Sequence, residues 1–291
     1  MKAPATFRNL YRVAVVVFLF LNGTGFASAQ QTIIWAHDAQ PPGFVETPNG
    51  LEGFAGYTLR WFQEHLTGYD HQTTVMPLAR TIADMRNGNF ACWAGLIKTE
   101  ERANFVTFSD VIAVNLPVSV IIRAEQLTLF TPYLNDDGAL SLQRLLQNTA
   151  LNTAIRGSRS YGPTIDDMLK HTNLMRNVRQ TANDDMFLEL LALGRLDWVL
   201  YYPAEMYHYR ASADTDTDLI SIPIIEAPDP LNIHVGCTKN PVGMAVINDI
   251  NTLIKVRPDK PWMKQFLALH TIAEQQRIFA AMEHHPEDLT E

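Results

Sequence analysis

The stretch G-N-F-A-C-W-A-G-L-I-K-T-E-E-R-A-N-F-V-T-F-S-D, residues 88–110, decides how the rest of the chain is read. Residues 90–97 are apolar, short and bounded by Gly88 and Lys98, which predicts a buried strand. Thr99 follows with Glu100 and Glu101 directly behind it. A hydroxyl N-cap with acid in the first turn is how a helix begins, because both favour the positive end of its dipole. Arg102 stands one turn in, and the chain re-extends over 105–108 before Ser109-Asp110. A strand ending in a capped turn that carries an arginine can offer backbone N–H groups and a guanidinium to one small anion. The plainer alternative is a surface ion pair of Arg102 with Glu100, Glu101 or Asp110, since exposed pairs are common and weak.

Working outward, residues 32–37 (T-I-I-W-A-H) read as a first strand and 38–43 as a Pro-Pro turn. A small hairpin over 44–51 turns around Pro48-Asn49-Gly50. An amphipathic helix follows over 53–66, with Tyr57, Trp61 and Phe62 on its apolar side. Residues 72–76 form strand two and 80–86 a short helix. With 90–97 this makes β-α-β-α-β, the start of an open α/β sheet whose ligands bind at the carboxyl ends of the strands. Downstream, 116–123 is a β-branched run and 142–148 a short helix. Residues 151–155 form a strand that feeds directly into R-G-S-R-S-Y-G, 156–162, and a helix over 163–170. Residues 184–193 show 3–4 apolar spacing, G-R-L-D closes that helix, and 198–201 form a strand. After the prolines at 228 and 230 the chain returns as a strand over 231–237, then helices over 240–255 and 262–283. Ser160 sits in S-x-S-x-G, which lacks the first glycine of a nucleophile elbow, so a hydrolase reading is set aside.

The segment 88–110 resembles the T-x-x-R-x-x-x-x-x-F-S signature of the periplasmic solute-binding proteins of family 3, the amino-acid receptors of ABC importers: Thr99, Arg102, Phe108 and Ser109 fall in place without a gap. The resemblance implies an α/β, two-lobed type II periplasmic binding protein fold, with an open sheet in each lobe and two hinge strands. Residues 30–118 and 230–291 would form lobe 1, and 119–229 lobe 2. It further implies that Arg102 clamps a ligand carboxylate, with Thr99 and neighbouring backbone groups helping. Pro41-Pro42 and Phe44 match the loop over the ligand, although Phe44 could equally be a core aromatic at a loop base. Gly53-Phe54 match the entry to helix one, where Ala55-Gly56 stand in place of the usual acid. Ser158 lies in the family's strand-then-Gly-Ser turn. Arg80 is a further candidate cation at the start of a helix facing the cleft; its alternative is a surface pair with Glu or Asp.

In amino-acid receptors of this kind an aspartate after the G-R-L-D strand pairs with the ligand's α-ammonium. Here that position is Tyr202, followed by Pro203. A phenol makes a hydrogen bond but cannot neutralise an ammonium. The resemblance also places the returning strand beside 90–97, hence Cys237 near Cys92 and a disulfide close to the site.

The first 29 residues carry Lys2, Arg8 and Arg12, no acid, an apolar run over 13–21 and Ala27-Ser28-Ala29. That predicts a secretory signal peptide, cleaved after Ala29, too short to span a bilayer. Removing 29 of 291 residues leaves 262, and losing three basic residues moves the formal charge from −8 to −11. An acidic surface argues against nucleic acid and anionic membrane as partners. In an oxidising compartment the two cysteines are expected to be bridged, and two thiols without adjacent His or Cys make no zinc site. The His284-His285 pair reads as solvated rather than as a metal site. No P-loop or dinucleotide fingerprint occurs, and no cofactor is expected.

The expected function is non-catalytic capture of a small carboxylate-bearing solute, as a periplasmic monomer serving an ABC permease. Two alternatives stand beside it. One is a sensing subunit for a membrane signalling partner. The other is a cleft dehydratase, for which the motif positions supply arginines, serine and tyrosine but no cleft acid.

Overall fold

The structure, a computed structural model, describes residues 30–170, 175–212, 217–227 and 229–284. The expected leader (1–29) and the side chains of the His284-His285 pair lie outside the described part.

Two sheets divide the chain. The first contains β1 (Gln31–His37), β4 (Tyr69–Val75), β5 (Cys92–Ile97), β6 (Val106–Phe108), β7 (Ala113–Asn115) and β13 (Leu231–Thr238). Its order is β4-β1-β5-β13-β6, with β7 also on β13. β1 runs parallel to β4 and β5, whereas β13 is antiparallel to β5, β6 and β7. A hairpin of β2 (Val45–Thr47) and β3 (Gly50–Glu52) stands apart. The second sheet contains β8 (Ser119–Arg123), β9 (Thr153–Arg156), β10 (Val178–Thr181), β11 (Trp198–Tyr201) and β12 (Leu219–Pro223), in the order β10-β9-β11-β8-β12.

Helices α1 (Gly53–His65), α2 (Leu78–Arg86), α3 (Glu100–Ala103), α9 (Pro241–Val256), α10 (Lys264–Leu267) and α11 (Ile272–His284) accompany the first sheet. Helices α4 (Leu127–Phe130), α5 (Leu142–Leu146), α6 (Pro163–Leu169), α7 (Phe187–Ala192) and α8 (Pro203–Ser212) accompany the second.

Each sheet has its own core. Trp35, Phe62, Trp93, Leu96 and Trp262 are packed out of solvent in the first. The second is covered on both faces, by a cluster with Val120, Ile122 and Trp198 and by another with Ile121, Leu191 and Val199. β8 is therefore buried along its whole length, and its centre, Val120-Ile121-Ile122, is apolar without alternation, as in a doubly covered strand. A fully buried side chain of this size is worth roughly 1.5–3 kcal/mol, so tearing either core is costly. Between the lobes runs a seam lined by polar and apolar groups together. Two crossings join the lobes, 116–118 between β7 and β8 and 224–230 between β12 and β13. The expected strand over 116–123 begins only at Ser119, because Pro117 has no N–H to give a ladder.

The entry to α1 shows how the seam is built. Glu52 makes no side-chain cap. The orphan N–H groups of Phe54, Ala55 and Gly56 instead bond the carbonyls of Pro42 and Gly43, at 3.1, 2.9 and 3.1 Å. Gly53 is required there: its φ is +83°, and a Cβ would stand 2.5 Å from both of those carbonyl oxygens. The Pro-Pro loop is thereby fastened across the helix start, leaving that terminus closed to an anion.

Cys92 and Cys237 face each other in the β5/β13 ladder and are bridged, with S–S 2.03 Å. The bridge lies at the start of β5, next to Trp93 and at the far end of the strand from Thr99 and Arg102. The pairing is the expected one, and Cys92 adjoins Trp93 of the cavity wall described below. Phe108 and Ser109 also have a structural use. Ser109 donates its N–H to the Val235 carbonyl at 2.9 Å and accepts the Val235 N–H through Oγ at 2.9 Å, pinning an irregularity in β13 after His234.

Candidate functional site at the lobe seam

The carboxyl ends of β1 and β9 meet across the seam. Asp38, just past β1, accepts the Leu78 N–H at 2.9 Å and so caps α2. The same oxygen accepts from Arg156, the last residue of β9. Arg156 is 1% exposed and also bonds Asp184 at 3.0 Å. Asp184 then takes Arg159 at 2.7 Å, and Arg159 forks onto Glu205 at 2.8 and 2.7 Å. Asp38–Arg156–Asp184–Arg159–Glu205 is thus one buried chain of alternating charge, with its first link between lobes.

The chain is locked by backbone and aromatic partners. Glu205, in the first turn of α8, accepts the Tyr202 N–H at 3.1 Å. The Arg159 guanidinium lies 5.7, 5.5 and 5.0 Å from the ring centres of Tyr161, Tyr201 and Tyr202. Burial opposes its charge, but Glu205 and Asp184 more than offset this and hold its pKa well above the usual value. The motif positions in the sequence supply no cleft acid. The structure corrects this: Asp38, Asp166, Asp184 and Glu205 are all at the seam, and three of them neutralise Arg156 and Arg159.

Arg102 differs from both. It is 8% exposed, yet its two terminal nitrogens donate to neutral carbonyls, Ile97 at 2.8 Å and Ser158 at 3.1 Å, the latter across the seam. Among the described residues no carboxylate lies within ion-pair distance of it. Burial accordingly lowers its pKa, with Asp166, Glu101 and Tyr202 compensating only in part. An arginine remains charged under those conditions. Of the three buried seam arginines, 102, 156 and 159, it is the one with no carboxylate at ion-pair distance among the described residues.

The other expected residues divide. Thr99 is the N-cap of α3 and accepts the Arg102 N–H at 3.2 Å, so it positions the clamp. Ser158 offers its carbonyl to Arg102 while its Oγ is buried without a hydrogen bond. Phe44 is 3% exposed and packs 5.8 Å from Trp93 and 5.6 Å from His37, so it is at once core aromatic and cavity wall. Tyr202 is buried at the seam with Asn115 beside it, and its hydroxyl makes no hydrogen bond of ordinary geometry. Burial raises its pKa far enough that it stays a neutral phenol. Arg80 is not brought to the others: its side chain is 70% exposed and pairs with Asp84 one turn on, at 3.1 Å. Ser160 bonds Asp166 at 2.5 Å rather than any base.

Arg102, Phe44 and Tyr202 line one cavity of about 110 Å³ that runs from the seam into lobe 1. Its inner wall is Phe54, Trp93, Leu96, Trp262 and Phe266. An open groove of about 1280 Å³ follows the seam past Thr99, Arg102, Ser158 and Asp166. No group of three or more His, Cys, Asp or Glu suited to a metal occurs among the described residues.

Residues 32–277 match the family described as bacterial extracellular solute-binding proteins, family 3. Among curated proteins none matches the chain in sequence. Several solved structures share its fold. A putative L-cystine ABC transporter from Listeria monocytogenes superposes with a TM-score of 0.62 at 13% identity, covering 82% of this chain and 95% of its own. A histidine kinase sensor domain with similarity to periplasmic binding proteins gives 0.60 at 14%, covering 81% and 95%. An ancestral amino-acid-binding protein, a precursor of cyclohexadienyl dehydratase, gives 0.62 at 17%, covering 82% and 96%. At these identities the likeness is one of fold.

Proposed function

The chain belongs to the bacterial extracellular solute-binding proteins of family 3, and we propose that it is a non-catalytic receptor holding a small carboxylate-bearing solute between its lobes. The supporting observation is the under-balanced Arg102. A ligand carboxylate in place of the Ser158 carbonyl would convert a neutral hydrogen bond into a charge-assisted one, roughly twice as strong. Thr99 and Ser158 flank that position, and Tyr202 and Phe44 wall it. In this reading residues 1–29 are a cleaved leader, 119–229 make up the second lobe, and the protein works as a periplasmic monomer.

Calorimetry with small carboxylates tests the reading. Arg102→Met should weaken a bound carboxylate by tenfold or more, because a buried charged hydrogen bond contributes about 1.5–3 kcal/mol. Unchanged affinity in Arg102→Met would overturn the clamp.

Delivery to an ABC permease is the proposed role. Sensing for a membrane kinase is the second reading, favoured by the kinase sensor domain of like fold. Co-purification from solubilised membranes with a permease or with a kinase separates the two. Conversion of a bound solute, followed by mass spectrometry, would instead require an enzyme.

A further inference from the structure

Beyond the carboxylate, the groups left free around the seam narrow the ligand further. Both oxygens of Glu205 accept from one terminal nitrogen of Arg159, and one of them also accepts the Tyr202 N–H. Asp184 is divided between Arg156 and Arg159. Asp166, in the groove beside Arg102, accepts from Ser160 Oγ and the Tyr161 N–H. Glu205, the one acid among the described residues lining the inner cavity, is already paired, so an ammonium held there has no free carboxylate and is strongly penalised. What faces the cavity from lobe 2 is the Tyr202 hydroxyl, buried and neutral, with the Asn115 amide beside it and no acceptor at hydrogen-bond geometry for its proton. A buried polar atom in that state calls for a partner, and a phenol supplies a donor to a neutral oxygen. Past this rim the cavity is apolar, with Phe44, Phe54, Trp93, Trp262 and Phe266 around about 110 Å³. Apolar cavities of about this size stay dry and accept a benzene ring.

We propose that the site takes a 2-oxo acid with an aromatic or branched apolar side chain, such as phenylpyruvate or 4-methyl-2-oxopentanoate. Arg102 holds the carboxylate, Tyr202 donates to the 2-oxo oxygen, and the side chain fills the lobe 1 cavity. This rests on the carboxylate reading above and adds to it the identity of the α-substituent and of the body.

The test is a matched series on one skeleton, titrated calorimetrically: phenylpyruvate, 3-phenylpropionate and phenylalanine, with pyruvate and 2-oxoglutarate as truncated and charged bodies. Phenylpyruvate should bind best, 3-phenylpropionate about 3- to 10-fold more weakly for want of one neutral hydrogen bond, and phenylalanine weakest. Tyr202→Phe should bring phenylpyruvate down to 3-phenylpropionate and leave the latter where it was. Ala94→Phe, which puts a ring into the cavity wall, should abolish the phenyl compounds and spare pyruvate. Phenylalanine matching phenylpyruvate, or 2-oxoglutarate exceeding it while Arg102→Met still weakens both, would overturn this inference and leave the carboxylate clamp standing. Carboxylate binding that ignores Arg102→Met would overturn the clamp itself. A folded Tyr202→Phe protein, checked by circular dichroism, that still prefers phenylpyruvate over 3-phenylpropionate would remove Tyr202 from the recognition.

Discussion

Replacing Asp38 by Asn should shift the balance between closed and open lobes without unfolding either. Asp38 has two functions in the structure, capping α2 through Leu78 N and holding Arg156 across the seam. An asparagine oxygen can keep the cap. It loses the charge that Arg156 meets, although Arg156 retains Asp184 at 3.0 Å. A charged hydrogen bond is worth about 1.5–3 kcal/mol and a neutral one about 0.5–1.5, so the loss is about 1–1.5 kcal/mol. Nearly all of it falls on the closed form, because the open form has no Arg156–Asp38 contact. That corresponds to a fall of roughly five- to tenfold in the closed-to-open ratio. Asp38→Lys turns the attraction into a like-charge contact and should populate the open form outright. The assay is single-pair fluorescence transfer between labels at exposed Glu64 on lobe 1 and Asp136 on lobe 2. Asp84→Asn, which removes the charge that pairs with Arg80 away from the seam, is the control and should leave the transfer unchanged. Unaltered transfer in Asp38→Lys, with a lowered melting temperature, would show that the pair supports the fold of lobe 1 and not closure.

Three other outcomes follow from the same geometry. The Cys92–Cys237 bridge spans 145 residues of sequence; chain-entropy arithmetic for such a loop gives about 5 kcal/mol, and native bridges commonly deliver 2–4. The double alanine variant should melt about 5–15 °C lower, and an unchanged midpoint would contradict it. His37, His234 and His270 are pushed below the usual histidine value, first by burial. Each binds fewer protons folded than unfolded, so its contribution is complete above pH 6.5 and is lost as pH falls through its folded value. Melting temperature should decline below pH 6.5, and His270→Gln should flatten part of that slope. Glu226 accepts from Leu142 N, Gln143 N and Ser141 Oγ at 3.0, 3.1 and 2.8 Å. Glu226→Ala should therefore cost about 1–2 kcal/mol, read as faster hydrogen exchange confined to α5.

Much of the fold is legible in the sequence because its signals are local. The capped turn at Thr99, the apolar strand behind it and the Pro-Pro loop each follow from adjacent residues, and the structure has all three. The buried charge chain was not legible. Asp38, Arg156 with Arg159, Asp184 and Glu205 lie on four separated segments, and each looks like an ordinary surface charge until the sheets bring the strand ends together. Arg156 and Arg159 did carry a signal: two arginines at the end of a buried strand need anions nearby, wherever those come from. Strands β10 and β12 and helix α8 also went unread. Val178–Thr181 is mostly polar, and α8 follows Tyr202 with aromatic and charged residues mixed along its length. The motif spacing puts Tyr202 in the aspartate's place, yet the acid three positions on, Glu205, already neutralises Arg159 there.

The described chain begins and ends in lobe 1, and the sulphur bridge joins β5 to β13 within the same sheet. A force drawn along the chain from its two ends would therefore pass from one cysteine to the other and never enter residues 93–236. Lobe 2, its ligand-facing wall and both crossings are mechanically shielded, as if spliced into a side loop. Stretching experiments should release slack only from lobe 1 until a reductant is added. They should then give up roughly 500 Å more in one further event, the length hidden behind the bridge.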